Sequence, residues 1–312
     1  MAFKLIIDMF SGRANPEIIL DDTAVRQLMK KLPVDKLRKT NEKTNPFPSV
    51  LGYRGFIIEQ TGRINSKLPA RLHYAHDTLY AGDLSAPAEP GLESFLFDNL
   101  KTVKGARDIP NFRKTLEDLI RQYLDKRFKY IENYNKWYLD IIDDYLLPTR
   151  VVCPCSPPAD LAAWNTDFNI TGNNNCYNYA TNYRSDTYGQ PGLASGQKWN
   201  DLSACNVAAN KISAKMGAVA DGLVDKPNQD NKCISPGHLV ALVINPGNDY
   251  HWYRKGSNGK WSHKMGGSPA TIFDNSGNPI SDPRTADRGG YVDFCTFMQV
   301  IHGHFKIDGL FD

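Results

Sequence analysis

The residues best suited to chemistry cluster around one cysteine. In the run Thr171-Gly172-Asn173-Asn174-Asn175-Cys176-Tyr177-Asn178-Tyr179, a turn-forming lead-in meets a segment able to be helical. That spacing predicts Cys176 at or near a helix start. Backbone N–H groups and the helix dipole favour a thiolate there, and the thiolate is the nucleophilic form of cysteine. A thiol nucleophile also needs a base within hydrogen-bond reach and a group that orients the base. Five histidines follow in the sequence, at 238, 251, 263, 302 and 304. Of these, His251 and His263 flank Ser257-Asn258-Gly259, and Asn-Gly is a strong short hairpin signal. Pairing centred on residue 257 sets His251 opposite His263 on one sheet face. His238 opens an apolar run and is the alternative base.

Blander readings compete at each position. A cysteine in a chain with six of them is ordinarily a disulfide partner or a buried thiol. A lone histidine on a strand is ordinarily structural. Cys176 and a histidine beside Asp249 would suit zinc, but no close-spaced ligand pair accompanies them. His302-Gly303-His304 reads as a strand end. Asp274-Asn275-Ser276-Gly277 reads as a hairpin turn rather than a calcium loop. No metal and no cofactor is expected.

The elements that must position these residues are readable in outline. Residues 3–10 and 17–20 read as strands, and 23–32 as a helix capped by Asp21 or Asp22. Residues 50–60 and 70–81 are β-rich, and 85–90 form a Pro-rich connector. Apolar residues at helical spacing from Phe112 to Tyr145 predict a long amphipathic helix over 111–146. Val151-Val152-Cys153-Pro154-Cys155-Ser156-Pro157-Pro158 is a stiff linker, which sets a boundary between 1–148 and 159–312. Beyond it, 159–164 and 203–216 read as helices. Residues 238–244 read as a strand buried on both faces, and 249–255, 260–265 and 291–301 as further strands. Helices first and then an antiparallel sheet is the segregated α+β arrangement.

Bulk properties narrow the function class. A net charge of +3 is too small for a nucleic-acid surface. No apolar run approaches the roughly 18 residues of a membrane helix. The start, Met1-Ala2-Phe3-Lys4-Leu5-Ile6-Ile7-Asp8, is not a signal peptide, so the expectation is a cytoplasmic chain or export by a non-classical route. All six cysteines lie after residue 150, so three disulfides are one reading of an even count.

The second half resembles the NlpC-type papain-fold cysteine peptidases and amidases. The resemblance rests on Cys176, the Ser195-Gly196-Gln197 loop, Pro236-Gly237-His238-Leu239-Val240, and the stretch from His251 to His263. It covers about residues 164–270 and none of the first domain. Where the family has Asp after Pro-Gly this chain has His238, and Tyr177-Asn178 replaces the usual Ser-Gly after the cysteine. The resemblance implies a papain-like domain in which Cys176 is the nucleophile, His251 the base and His263 its orienter. The reaction implied is hydrolysis or acyl transfer at a peptide, isopeptide or other amide bond. The first domain is expected to serve as scaffold, recognition module or protein-partner surface. The competing expectation is a non-enzymatic, disulfide-stabilised secreted binding or toxin-like protein with all six cysteines oxidised.

Overall fold

The structure, a computed structural model, describes residues 2–39, 50–62, 64–75, 77–82, 84–99, 151–165 and 168–310. The long helix expected over 111–146 lies outside the described residues. The chain forms two compact units. The first comprises Met1–Met9, Asn15–Pro48 and Tyr53–Leu116, and the second Phe10–Ala14, Ser49–Gly52 and Glu117–Asp312. Two short pieces from early in the sequence therefore belong with the second unit.

The first unit is built on strand β1 (Ala2–Asp8), β2 (Glu17–Ile19), helix α1 (Asp22–Lys31), β3 (Arg38–Lys39), β4 (Gly55–Thr61), β5 (Arg71–Ala75), β6 (Thr78–Ala81), β7 (Leu84–Pro87) and helix α2 (Leu92–Asp98). The strands make one antiparallel sheet in the order β2-β1-β4-β5-β6-β7-β3. β1 forms because Phe3, Leu5 and Ile7 fall on one face at period two and are all buried. α1 starts where Asp21 accepts from Thr23 N at 2.9 Å and Ala24 N at 2.8 Å, and it buries Ala24, Val25 and Leu28. The segment expected as a Pro-rich connector instead contains β7, with Pro87 as its last residue, a position where a missing N–H is tolerated. At the centre of this unit Arg54 grips buried Asp8 through two bonds, Nη2 to Oδ1 at 2.6 Å and Nε to Oδ2 at 3.1 Å.

The second unit contains α3 (Leu161–Asn165), α4 (Phe168–Asn173), α5 (Cys176–Thr181), α6 (Ala214–Ala220), β8 (Val224–Asp225), β9 (His238–Asn245), β10 (Asp249–Lys255), β11 (Trp261–Lys264), β12 (Ala270–Thr271) and β13 (Asp293–Val300). Its antiparallel sheet runs β12-β11-β10-β9-β13-β8. β9 is buried on both faces. Val240, Leu242 and Ile244 pack with Cys176, Tyr177, Ala180 and Trp252, while Leu239, Ala241 and Val243 pack with Tyr253, Trp261 and Phe297. The molecule is thus a mixed α+β protein with two antiparallel sheets. Among the described residues no helix exceeds the ten residues of α1, and none is long and apolar enough to cross a membrane.

Two local expectations are corrected. The helix expected over 203–216 begins only after Ser213, whose hydroxyl caps Met216 N at 3.3 Å. The preceding stretch is held by turn chemistry and by the Cys205–Cys295 disulfide instead. The β10–β11 hairpin pairs Tyr253, not His251, with His263. Its turn is centred one residue later than expected, because Gly256 N bonds Lys260 O at 2.8 Å and Gly259 takes a φ of 79°.

A second bridge, Cys153–Cys233, staples the linker to the far side of the unit. Each bridge closes a loop of 80 or 90 residues. Closures of that length restrict the unfolded chain by about 4.5 kcal/mol each in the chain-entropy account. Cys155 is exposed and Cys176 buried, both as free thiols, so the pattern of six oxidised cysteines does not form.

Candidate functional site

Cys176 is the first residue of α5, and Asn175 is its cap. The Asn175 side chain accepts from Tyr177 N at 3.0 Å and Asn178 N at 3.2 Å, while Asn178 Oδ1 accepts from Asn175 N at 3.2 Å. This reciprocal cap explains the Asn-rich lead-in. The approach to the cap is fixed by Lys264, fully buried, whose Nζ donates to Thr171 O at 2.6 Å, Asn174 O at 2.5 Å and Gly266 O at 2.6 Å. The other end of α5 is held by Arg254. Its guanidinium donates to Tyr179 O at 2.9 Å, Asn182 Oδ1 at 2.7 Å, Pro158 O at 2.9 Å and Ala159 O at 2.8 Å.

The thiol environment differs from the expectation of a stabilised thiolate. Cys176 is wholly buried, and its Sγ sits 4.0 Å from Tyr250 O. Burial pushes its pKa far up, the Asp249 carboxylate adds to that, and the Ser11 hydroxyl pulls only partly back. A helix of six residues offers too little dipole to reverse the burial.

The histidines divide between two places. His238 bonds Ala180 O at 2.7 Å, toward the opposite end of α5 from Cys176, and burial lowers its pKa to about 3. Its ring is therefore neutral at neutral pH. His251 and His263 do come together. His251 Nε2 lies 2.8 Å from His263 Nδ1, and His263 Nε2 lies 2.9 Å from Phe273 O. A carbonyl can only accept, which fixes the protons along this relay. Neutral His263, its pKa lowered to about 4 by burial, carries its hydrogen on Nε2. Its Nδ1 therefore accepts from His251 Nε2–H. In neutral His251 that leaves Nδ1 as an acceptor, and the group donating to it is the Ser11 hydroxyl.

Among the described residues no hydrogen bond joins Cys176 to His251. Strand alternation gives the reason. Tyr250 and Trp252 share the core cluster of Cys176, so His251, between them on β10, projects to the other face and rings against Tyr253, His263 and Tyr291. Ser11 bridges the gap, in contact with both thiol and imidazole.

Within this unit the segment Phe10–Ala14 is held through Ser11, Gly12 and Arg13. The Asp249 carboxylate accepts from Ser11 N at 2.5 Å, Gly12 N at 3.2 Å, Arg13 N at 3.0 Å and the Tyr291 hydroxyl at 2.5 Å. Burial pushes the Asp249 carboxyl up, and these donors pull it back toward the anion. The Gly12 carbonyl accepts from Asn175 Nδ2 at 2.8 Å, Gln190 Nε2 at 2.8 Å and the Tyr250 hydroxyl at 2.9 Å. Ser11 O accepts from Gly266 N at 3.1 Å, and Arg13 reaches Asn248 O at 3.0 Å.

Ser11, Gly12, Asn175, Gln190, Lys264 and Arg254 were not singled out by sequence reasoning. The loop glutamine in the cleft is Gln190, not Gln197, whose backbone N bonds Gly192 O at 2.7 Å. Ser195 bonds Asp221 Oδ1 at 2.7 Å, and Asp221 also holds the Tyr177 hydroxyl at 3.0 Å, so that loop is tied to α5. No group of three or more His, Cys, Asp or Glu side chains among the described residues is placed to hold a metal ion.

A disulfide-stapled α+β unit with a buried thiol, an oriented histidine pair and the buried Ser11-Gly12 backbone beside them is what the fold defines. By sequence, the chain is 45% identical over 148 residues to insoluble matrix shell protein 1 of Ruditapes philippinarum, a match that spans 47% of this chain and 91% of that protein. At that identity and coverage the chain belongs to the family of that shell matrix protein. No family model matches the chain, and no solved structure does.

Proposed function

We propose that this chain is a secreted, disulfide-stapled protein of an extracellular matrix that works by binding polypeptide rather than by turning it over. The observation that carries the reading is the state of Cys176: buried, held protonated, and separated from His251 by Ser11. Two disulfides favour an oxidising compartment. The family relative, named an insoluble matrix shell protein, points to the same setting. The test is the chain isolated from its source without reductant and assayed on peptide and isopeptide substrates. The expected result is bridges at Cys153–Cys233 and Cys205–Cys295 and no amide hydrolysis. Reduced cysteines throughout, or turnover abolished by Cys176→Ala in a folded protein, would contradict it.

A second reading, a papain-like thiol hydrolase or acyl transferase, is favoured by the imidazole relay. His251 presents Nδ1 to Ser11, which also touches the thiol, and is oriented through Nε2 by His263, itself fixed on Phe273 O. That is the arrangement a general base needs. In this reading Ser11 leaves, His251 takes the Cys176 proton, and the thiolate adds to a substrate carbonyl. The tetrahedral adduct breaks its C–N bond, the amine leaves with the proton from His251, and water or another amine, deprotonated by His251, then displaces the thiolate from the acyl-enzyme. Parallel Cys176→Ala and His251→Ala variants, both losing all turnover that the parent shows, would support it.

A further inference from the structure

A loop tip ordinarily carries its polar backbone to water. Ser11 and Gly12 do the reverse: both are buried, and side chains of the second unit meet their backbone groups. Three consecutive N–H groups converge on one carboxylate, that of Asp249. One carbonyl, that of Gly12, receives three side-chain donors. Successive N–H groups converging on an anion form a compact recognition element, and here the protein supplies the anion and the segment supplies the donors. Side-chain fit is equally selective. A Cβ on Gly12 would meet the Tyr250 ring 2.3 Å away, so only glycine is accommodated. The Arg13 guanidinium lies 5.9 Å from the centre of the Trp199 ring, a cation–π distance, with Asn248 O to accept from it. The Ser11 hydroxyl occupies the His251 Nδ1 acceptor.

We propose that the cleft formed by Asp249, Asn175, Gln190, Tyr250 and Trp199 is a peptide-binding site for a Ser-Gly-basic sequence, and that Ser11-Gly12-Arg13 is its resident in-chain ligand. The partner class is a polypeptide segment of that chemistry on another molecule, engaged when the resident segment is displaced. The bound segment also seals Cys176. The inference rests on the proposed binding role and names its ligand. Its test reads thiol protection by one peptide, whereas that role fails on amide turnover or on reduced cysteines, so the two failures are distinguishable.

The test uses full-length Gly12→Leu, in which the added side chain collides with Tyr250 and expels the segment. Iodoacetamide alkylation of Cys176 is followed by mass spectrometry, with and without the peptide acetyl-Phe-Ser-Gly-Arg-Ala-amide. Protection of a buried group is lost about tenfold for each 1.4 kcal/mol of closure removed. Alkylation is therefore expected to rise at least about tenfold in Gly12→Leu, the added peptide to restore protection, and a peptide with Leu for Gly to leave it unprotected. Arg13→Glu, at a half-buried position, expels the segment by charge and keeps the test valid if Gly12→Leu does not fold. An unchanged Cys176 rate in a folded variant overturns the proposal. So does exposure of the thiol with no protection by the Ser-Gly-Arg peptide.

Discussion

Arg254→Met is expected to destabilise the second unit by roughly 2–3 kcal/mol, since hydrogen bonds made by a charged group contribute about 1.5–3 kcal/mol. Arg254 is a strand residue with no surface exposure, and it answers four acceptors at the end of the helix that begins with Cys176. Two of those acceptors, Pro158 O and Ala159 O, lie at the end of the linker and just after it, and the other two belong to α5 and its cap Asn182. A methionine fills much of the volume but removes the Arg254 donors from Pro158 O and Asn182 Oδ1, while Ala159 O keeps the Tyr179 hydroxyl at 2.9 Å and Tyr179 O keeps Asn182 N at 3.1 Å. Its guanidinium also lies 4.0 Å from the Tyr179 ring centre, a contact that a neutral side chain gives up. Arg254→Lys keeps the charge without the planar fork and is expected to recover less than half of the loss. Urea unfolding followed by tryptophan fluorescence measures both variants. A loss under about 1 kcal/mol for Arg254→Met would show that solvent replaces the network readily.

The second large effect lies in the first unit. Arg54→Met leaves the Asp8 carboxylate buried with its bidentate partner gone, and about 3–5 kcal/mol is the usual cost of such a half-broken pair. The pH dependence follows from two neighbours. Burial would raise Asp8, but the charge and hydrogen bonds of Arg54 win and hold it below the ordinary carboxylate value of 3.8. Its contribution is therefore present above that value and is lost as pH falls through the folded-state pKa. His73, 3.9 Å from Asp8, is lowered by burial to about 4. Below its ordinary value of 6.5 the unfolded state takes a proton that the folded state refuses, so stability falls from pH 6.5 down to about 4. At neutral pH the pair with Asp8 is thus a contact between a neutral ring and an anion. Thermal melts of the parent should show two stages of acid loss, the second absent in Asp8→Asn. A melt independent of pH between 4 and 6.5 would contradict the buried neutral His73.

What the sequence revealed and what it hid have different physical ranges. The strands β1, β9 and β10 were legible because their apolar residues carry the period directly. The helix start at Cys176 was legible from the turn-rich run before it, though not that Asn175 is its cap. The hairpin register was missed by one residue of turn centre, because only the αL glycine at 259 shows which residue stands at the apex. The histidine pair survived that error, since residues two apart on a strand share a face. The helix expected over 203–216 failed because its cysteine is tied to Cys295, a partner 90 residues away. Most consequential was Ser11-Gly12-Arg13. Locally it is a turn signal and nothing more. Its partners Asp249, Tyr250 and His251 lie some 240 positions further on, beyond any local pattern. The opposition of Cys176 and His251 across β10 was equally hidden, because a helix start and a strand histidine define chemistry only once their faces are known.

The central claim is that the chain closes its own cleft over Cys176, and the most direct test compares its two free thiols. Cys155 is exposed and serves as the internal reference. In the intact, non-reduced protein at neutral pH, iodoacetamide is expected to label Cys155 and to leave Cys176 at least about a hundredfold slower, as burial and closure of roughly 3 kcal/mol require. Labelling of Cys176 as fast as Cys155, or faster, would contradict the account and reveal an open, activated thiol.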